Sequence, residues 1–136
     1  GLRDSVPDTF LSEHRNAIDR IFSSGSVEEI LAALDAEHED WTDDIAATIR
    51  TKSPTSLKIA FHQIREGRML DFDACMRMEY RMVNRIVAGH DFYEGVRAVI
   101  IDKDNAPKWQ PAELAGVSQA DVDAYFAPLG EKELKL

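Results

Sequence analysis

HDFYEGVRAVIIDKDNAPKW, residues 90–109, is the stretch on which the fold class turns, because it contains AVIID, the chain's nearest approach to a β-strand. AVIID lacks the apolar–polar alternation of a half-buried strand. Phe92, Val96, Val99 and Ile100 recur instead at helical spacing, so the segment reads as a helix with one apolar face, ended by the run Asp102, Lys103, Asp104, Asn105, Ala106, Pro107. Asp91 and Glu94, three apart, predict a capping box. In it the Asp91 carboxylate accepts from the Glu94 amide and the Glu94 carboxylate reaches back to the Asp91 amide. Both acids are then structural, and Val96, Val99 and Ile100 are expected to pack on a longer helix upstream.

That longer helix is expected over residues 72–88. Asp71 can cap it, Phe72, Cys75, Met76, Tyr80, Val83, Ile86 and Val87 give it an apolar stripe, and Gly89 can close it. Ser53 followed by Pro54 predicts the start of another helix, with Leu57, Ala60, Phe61 and Ile64 along one face and Gly67 at its end. Further helices are expected over 11–22 and over 26–37, the second opened by Ser26 and Glu29. Another carries Trp41, Ile45 and Ile49, which step by four. Ser118 and Asp121 cap a last short helix bearing Val122, Tyr125 and Phe126. Residues 1–10, which contain Pro7 and no periodicity, read as a leader or linker before a helical domain over 11–136. The expected class is all-α: about six helices with short connections and no sheet.

The 136 residues are 44% hydrophobic and 30% charged, which suits one globular domain with a modest core. With 25 acidic against 16 basic residues the net charge is -9, a balance that repels nucleic-acid backbones and anionic membrane surfaces. No apolar run approaches the roughly 20 residues of a membrane span. A soluble, intracellular protein is expected, with neither nucleic acid nor membrane as partner.

Chemistry is sparse. Cys75 is the one cysteine, so the chain can form no internal disulfide, and its place among Phe72, Met76 and Tyr80 reads as a small core residue. His38 stands in an acidic turn with no HExxH partner, and His62 reads as a solvent or core-edge residue. There is no GxSxG, no glycine-rich phosphate loop and no zinc-ligand spacing. The residues by themselves give no catalytic centre, no metal site and no cofactor.

EGVRAVIIDKDNAPKW, preceded by GHDF at 89–92, resembles the C-terminal end of 3-hydroxyisobutyryl-CoA hydrolases, members of the crotonase (enoyl-CoA hydratase/isomerase) superfamily. SPTSLK at 53–58 and MEYR at 78–81 carry the same resemblance in the same order, which runs from about Ile18 to Leu136. General crotonases share the EG pair but have a Lys-Arg turn where this chain has Asp102, Lys103 and Asp104.

The resemblance implies that residues 11–136 are the C-terminal helical domain of a CoA-thioester hydrolase acting in valine breakdown. The oxyanion hole and acid/base pair then lie in an N-terminal domain outside this chain. That domain is the implied partner, the acyl-CoA substrate is reached only through the parent enzyme, and a homo-oligomer is possible. The fragment alone is expected to be inactive, and the setting to be cytoplasmic, or the mitochondrial matrix in a eukaryote. The resemblance also implies one ligand contact: Lys103 is the nearest counterpart of a crotonase lysine that meets coenzyme A phosphates, although Asp102 and Asp104 flank it. A hydratase/isomerase tail and a stand-alone helical interaction module are the alternatives.

Overall fold

A computed structural model describes residues 8–136, so most of the expected 1–10 leader lies outside the described residues. The chain forms two compact units, Gly1–Ala47 and Thr48–Leu136. In the first, the helix expected over 11–22 is broken. Thr9 caps α1 (Phe10–Glu13) in a reciprocal box with Ser12, and His14, with ψ near 8°, leaves the helical path before α2 (Arg15–Phe22). His14 stacks on Trp41 at 4.6 Å. Ser26 caps α3 (Val27–Glu37) by accepting from the Glu29 amide, while the Glu29 carboxylate reaches one residue further back, to the Gly25 amide. Ile21, Val27, Ile30, Leu31 and Leu34 are buried. On α4 (Asp40–Arg50) the buried positions are Thr42 and Ala46, and Trp41, Ile45 and Ile49 remain half-buried.

The second unit begins with α5 (Pro54–Gly67), which starts where the sequence places it: Ser53 accepts from the Ser56 amide and Pro54 occupies the first turn. Asp71 caps α6 (Phe72–Ile86) through the Ala74 amide, and Ser118 and Asp121 form the expected box on α8 (Gln119–Phe126). Ile59 of α5, Met78 and Met82 of α6, and Val117, Val122 and Phe126 make the core of this unit. His62 closes its edge, with its ring 4.2 Å from that of Phe126 and its Nε2 2.6 Å from Glu66.

Two expectations are corrected here. The helices are not about six: among the described residues there are eight α-helices, a five-residue π turn at Arg97–Ile101 and two 3-10 turns, because His14 divides one expected helix and the π turn divides another. No strand occurs among the described residues. The expected face of the long helix holds only in part: Ile86 packs on this core and Cys75 and Tyr80 are half-buried. Residues 78 and 82 point inward, which puts residues 72, 76, 83 and 87 on the opposite side, and Phe72, Met76, Val83 and Val87 are exposed. α6 is apolar on two faces, and its own unit covers one.

Candidate functional site

α7 (His90–Val96) starts one residue before its expected cap: Gly89 is the N-cap, and no side chain caps the helix. Asp91 therefore lies inside the first turn, where its carboxylate is free for distant donors. Oδ2 accepts from the Ser53 hydroxyl at 2.5 Å, Oδ1 accepts from the Gln110 amide at 2.9 Å, and His90 Nδ1 also lies 2.9 Å from Oδ1. Glu94, one turn on, repeats the arrangement. Its Oε1 accepts from the Lys108 amide at 2.8 Å, while the Arg97 guanidinium grips both its oxygens at 2.7 and 2.9 Å. The two carboxylates are thus clamps, not a cap: alternate amides of the extended 108–110 segment are tied to one side of α7. Trp109, between them, donates from Nε1 to the Thr51 carbonyl at 2.9 Å. Its ring lies over Gly95, where an added Cβ would stand only 3.4 Å away.

The electrostatics follow from the clamp. The Arg97 guanidinium, and after it the Lys108 amide, hold the Glu94 carboxyl down at about 2. Arg97 is itself raised above its ordinary value, first by Glu94 and then by Asp104 and Asp102. Asp104 is lowered by Arg97 and by the Ala106 amide. Arg97 Nη1 donates to Asp102 at 2.8 Å and to Asp104 at 2.7 Å, so one guanidinium collects three carboxylates. Nothing in the spacing of a lone arginine marks this role; the available signal is one arginine set among acids at positions 94, 102 and 104.

Lys103, the residue that the resemblance implies as a phosphate contact, is exposed and sits at φ 56° between two of those acids. Asn105 has φ 52°, so both residues flanking Asp104 occupy the left-handed region, which costs non-glycine residues about a kcal/mol or more each. The hydrogen bonds from Arg97 and from the Asn105 amide to the Ala98 carbonyl, at 3.0 Å, hold the turn in that shape.

The side of this segment expected to pack on α6 faces outward. Ala98 is fully buried, whereas Val99, Ile100 and Ile101 are 58%, 64% and 68% exposed. Phe92 and Tyr93, in edge-to-face contact, extend the exposed apolar ridge along α7. The extra residue of the π turn rotates the chain: the Asp102 amide bonds the Arg97 carbonyl five residues back, and Ala98 alone turns in.

Ser53, Asp91 and His90 form a chain that superficially suggests nucleophilic catalysis, but the order is wrong for it. The carboxylate is central, Ser53 donates to it, and the imidazole that would have to take the serine proton is on the far side. Beside this trio lies a cavity of about 280 Å³ lined by Ser53, Ile59, Ile86, Asp91, Trp109 and Tyr125.

Residues 3–126 match the protein family described as enoyl-CoA hydratase/isomerase, beginning well before Ile18. Over 133 residues the chain is 51% identical to a mitochondrial 3-hydroxyisobutyryl-CoA hydrolase of Danio rerio, covering 98% of this chain and 35% of that protein. The Homo sapiens protein of the same name is 42% identical over 125 residues, 92% of this chain and 32% of its own length. The chain therefore spans about a third of the length of these relatives. Among solved structures, a carnitinyl-CoA dehydratase from Mycobacterium thermoresistibile superimposes with a TM-score of 0.87 at 37% identity, over 97% of this chain and 38% of the other. An enoyl-CoA hydratase from Rhodobacter sphaeroides 2.4.1 superimposes with the same TM-score at 31% identity, over 100% and 41%.

Proposed function

This chain belongs to the enoyl-CoA hydratase/isomerase family, and we propose that it is the C-terminal helical domain, over residues 11–136, of a longer CoA-thioester hydrolase of the 3-hydroxyisobutyryl-CoA type. The observation that carries this reading is the 51% identity to such a hydrolase across nearly the whole chain. The clamp lends support: Asp91, Glu94, Gly95, Arg97, Asp102, Asp104, Lys108 and Trp109, all within the stretch that resembles the hydrolases, engage one another or neighbouring backbone in a single structural unit.

In this role the domain supplies packing surface and the catalytic part supplies the chemistry. The exposed Phe92, Tyr93, Val99, Ile100 and Ile101 gather large apolar side chains on one short segment, as interfaces do, and the N-terminal hydratase/isomerase-type part of the same protein is their proposed occupant. Lys103 is proposed as a contact for a coenzyme A phosphate, on the strength of its exposure in a rigid turn. The relatives are named mitochondrial, and the same placement is proposed here. No helix among the described residues is long and apolar enough to cross a membrane.

A hydratase or dehydratase parent is the second reading, favoured by the names of the two solved structures. One experiment separates the two. The longer polypeptide is assayed for release of free coenzyme A thiol from 3-hydroxyisobutyryl-CoA and, separately, for hydration of an enoyl-CoA, with the 136-residue chain alone in parallel. Thiol release by the longer protein only is the expected result. Hydration without thiol release overturns the hydrolase assignment, and turnover by the 136 residues alone overturns the non-catalytic role.

A further inference from the structure

We infer that Arg97 is a positioning residue for phosphate capture: it holds the two carboxylates that flank Lys103 away from the Lys103 ammonium and so leaves that cation open to an anionic ligand. The inference rests on the proposed Lys103–phosphate contact and adds a residue to it.

In sequence, Asp-Lys-Asp is a poor phosphate site. Each neighbouring carboxylate can fold onto the lysine or repel the incoming anion, and an ammonium already paired must give up that pair before it binds phosphate. The structure removes the conflict. A guanidinium has five N–H donors in a fixed fork, and four of the five on Arg97 are engaged by carboxylates. Nε and one Nη2 hydrogen serve Glu94, the two Nη1 hydrogens serve Asp102 Oδ2 and Asp104 Oδ2, and the second Nη2 hydrogen faces the Ala106 carbonyl at 3.5 Å. Asp104 is held a second time, by the Ala106 amide at 2.9 Å on its other oxygen. The left-handed conformation at Lys103 lets residues 102 and 104 converge on one guanidinium while Lys103 stays exposed, with no ion pair among the described residues. With four donors committed to three carboxylates, Arg97 is not itself the cation offered to a ligand. Its effect on a phosphate passes through Lys103.

The test uses the longer enzyme that contains this chain and reads the ratio of KM for the acyl-CoA to KM for the matching acyl-pantetheine, which lacks the nucleotide phosphates. Lys103→Ala should raise that ratio by up to about fivefold, the worth of one exposed ion pair. Arg97→Gln should raise it to a similar extent, and adding Asp102→Asn and Asp104→Asn to Arg97→Gln should bring it back toward the parent value, although every Arg97 contact with those side chains is then lost. Because Arg97→Gln can also loosen the turn, Asp102→Asn/Asp104→Asn is made with Arg97 intact, and the ratio should not rise. A merely structural Arg97 predicts the opposite: KM changes for both substrates alike, and further damage when the two acids are removed. Either result overturns the inference while leaving the phosphate reading standing. If Lys103→Ala itself leaves the ratio unmoved, the phosphate reading is what fails.

Discussion

Replacing Asp91 by alanine separates the clamp from the cap that its spacing suggests. Loss of an N-cap alone costs about 1 kcal/mol. In the structure Asp91 caps nothing; its side chain is 11% exposed and takes the Ser53 hydroxyl and the Gln110 amide. A net hydrogen bond to a charged group is worth about 1.5–3 kcal/mol, toward the lower end where solvent reaches it, as at Gln110. Ser53 is 5% exposed, so losing its acceptor also strands a buried hydroxyl proton, at about 1–3 kcal/mol. The two effects overlap, and the expected destabilisation is about 3 kcal/mol. Asparagine keeps an acceptor for Gln110 and should cost about 1 kcal/mol.

Urea denaturation of a Trp41→Phe background follows this directly, because the remaining indole, Trp109, lies inside the clamp. A double-mutant cycle with Ser53→Ala should give a coupling of about 1–2 kcal/mol between the pair. A cost near 1 kcal/mol for Asp91→Ala, additive with Ser53→Ala, would refute the clamp and restore the cap.

Gly95→Val should cost about 1–3 kcal/mol by overpacking the Trp109 ring, with a red-shifted Trp109 emission as the ring is pushed toward water. Met82→Ala, in the core shared by α5, α6 and α8, should lower the urea midpoint by an amount equivalent to about 2–5 kcal/mol. For Glu94 the sign is fixed by its depressed value: the contribution is fully present above its ordinary value of 4.5 and is lost as pH falls from there through about 2. Stability measured across that range should fall less steeply in Glu94→Gln, and an unchanged pH slope would show that the Arg97–Glu94 pair does not stabilise the fold.

What the sequence discloses well is whatever is decided within a few residues. Ser53 with Pro54, Asp71, and Ser118 with Asp121 all start helices where a short polar side chain can reach an amide three residues on. The failures share one cause, the presence of a partner far away in the chain. Asp91 and Glu94 have the spacing of a box, yet residues 38 positions upstream and 14 to 19 downstream outcompete the local amides for them. The apolar pattern of α6 was likewise visible, but periodicity records only that a face is apolar. Met78 and Met82, outside the expected stripe, are the residues that share a core with Phe126 and Val122, and the proposed role of Lys103 comes through resemblance alone.

The outward turn of Val99, Ile100 and Ile101 has the same origin. Local pattern predicts that an apolar helical face seeks the nearest apolar helix, here α6, yet the clamp commits one side of α7 to the 108–110 segment, and beyond it only Ala98 is buried. Once Glu94 and Asp91 hold that segment, the bulky residues have only the outside left. The face of α6 that bears Phe72, Met76, Val83 and Val87 is left open for a related reason, since α8 covers its other side. Five large apolar side chains, Phe92, Tyr93, Val99, Ile100 and Ile101, stay exposed on this one segment, where polar ones would serve solubility better. Their exposure beside a clamp built from eight polar, glycine and aromatic positions is what supports the proposal that this segment meets a partner: the clamp holds the backbone, and the large apolar side chains are what it leaves outside.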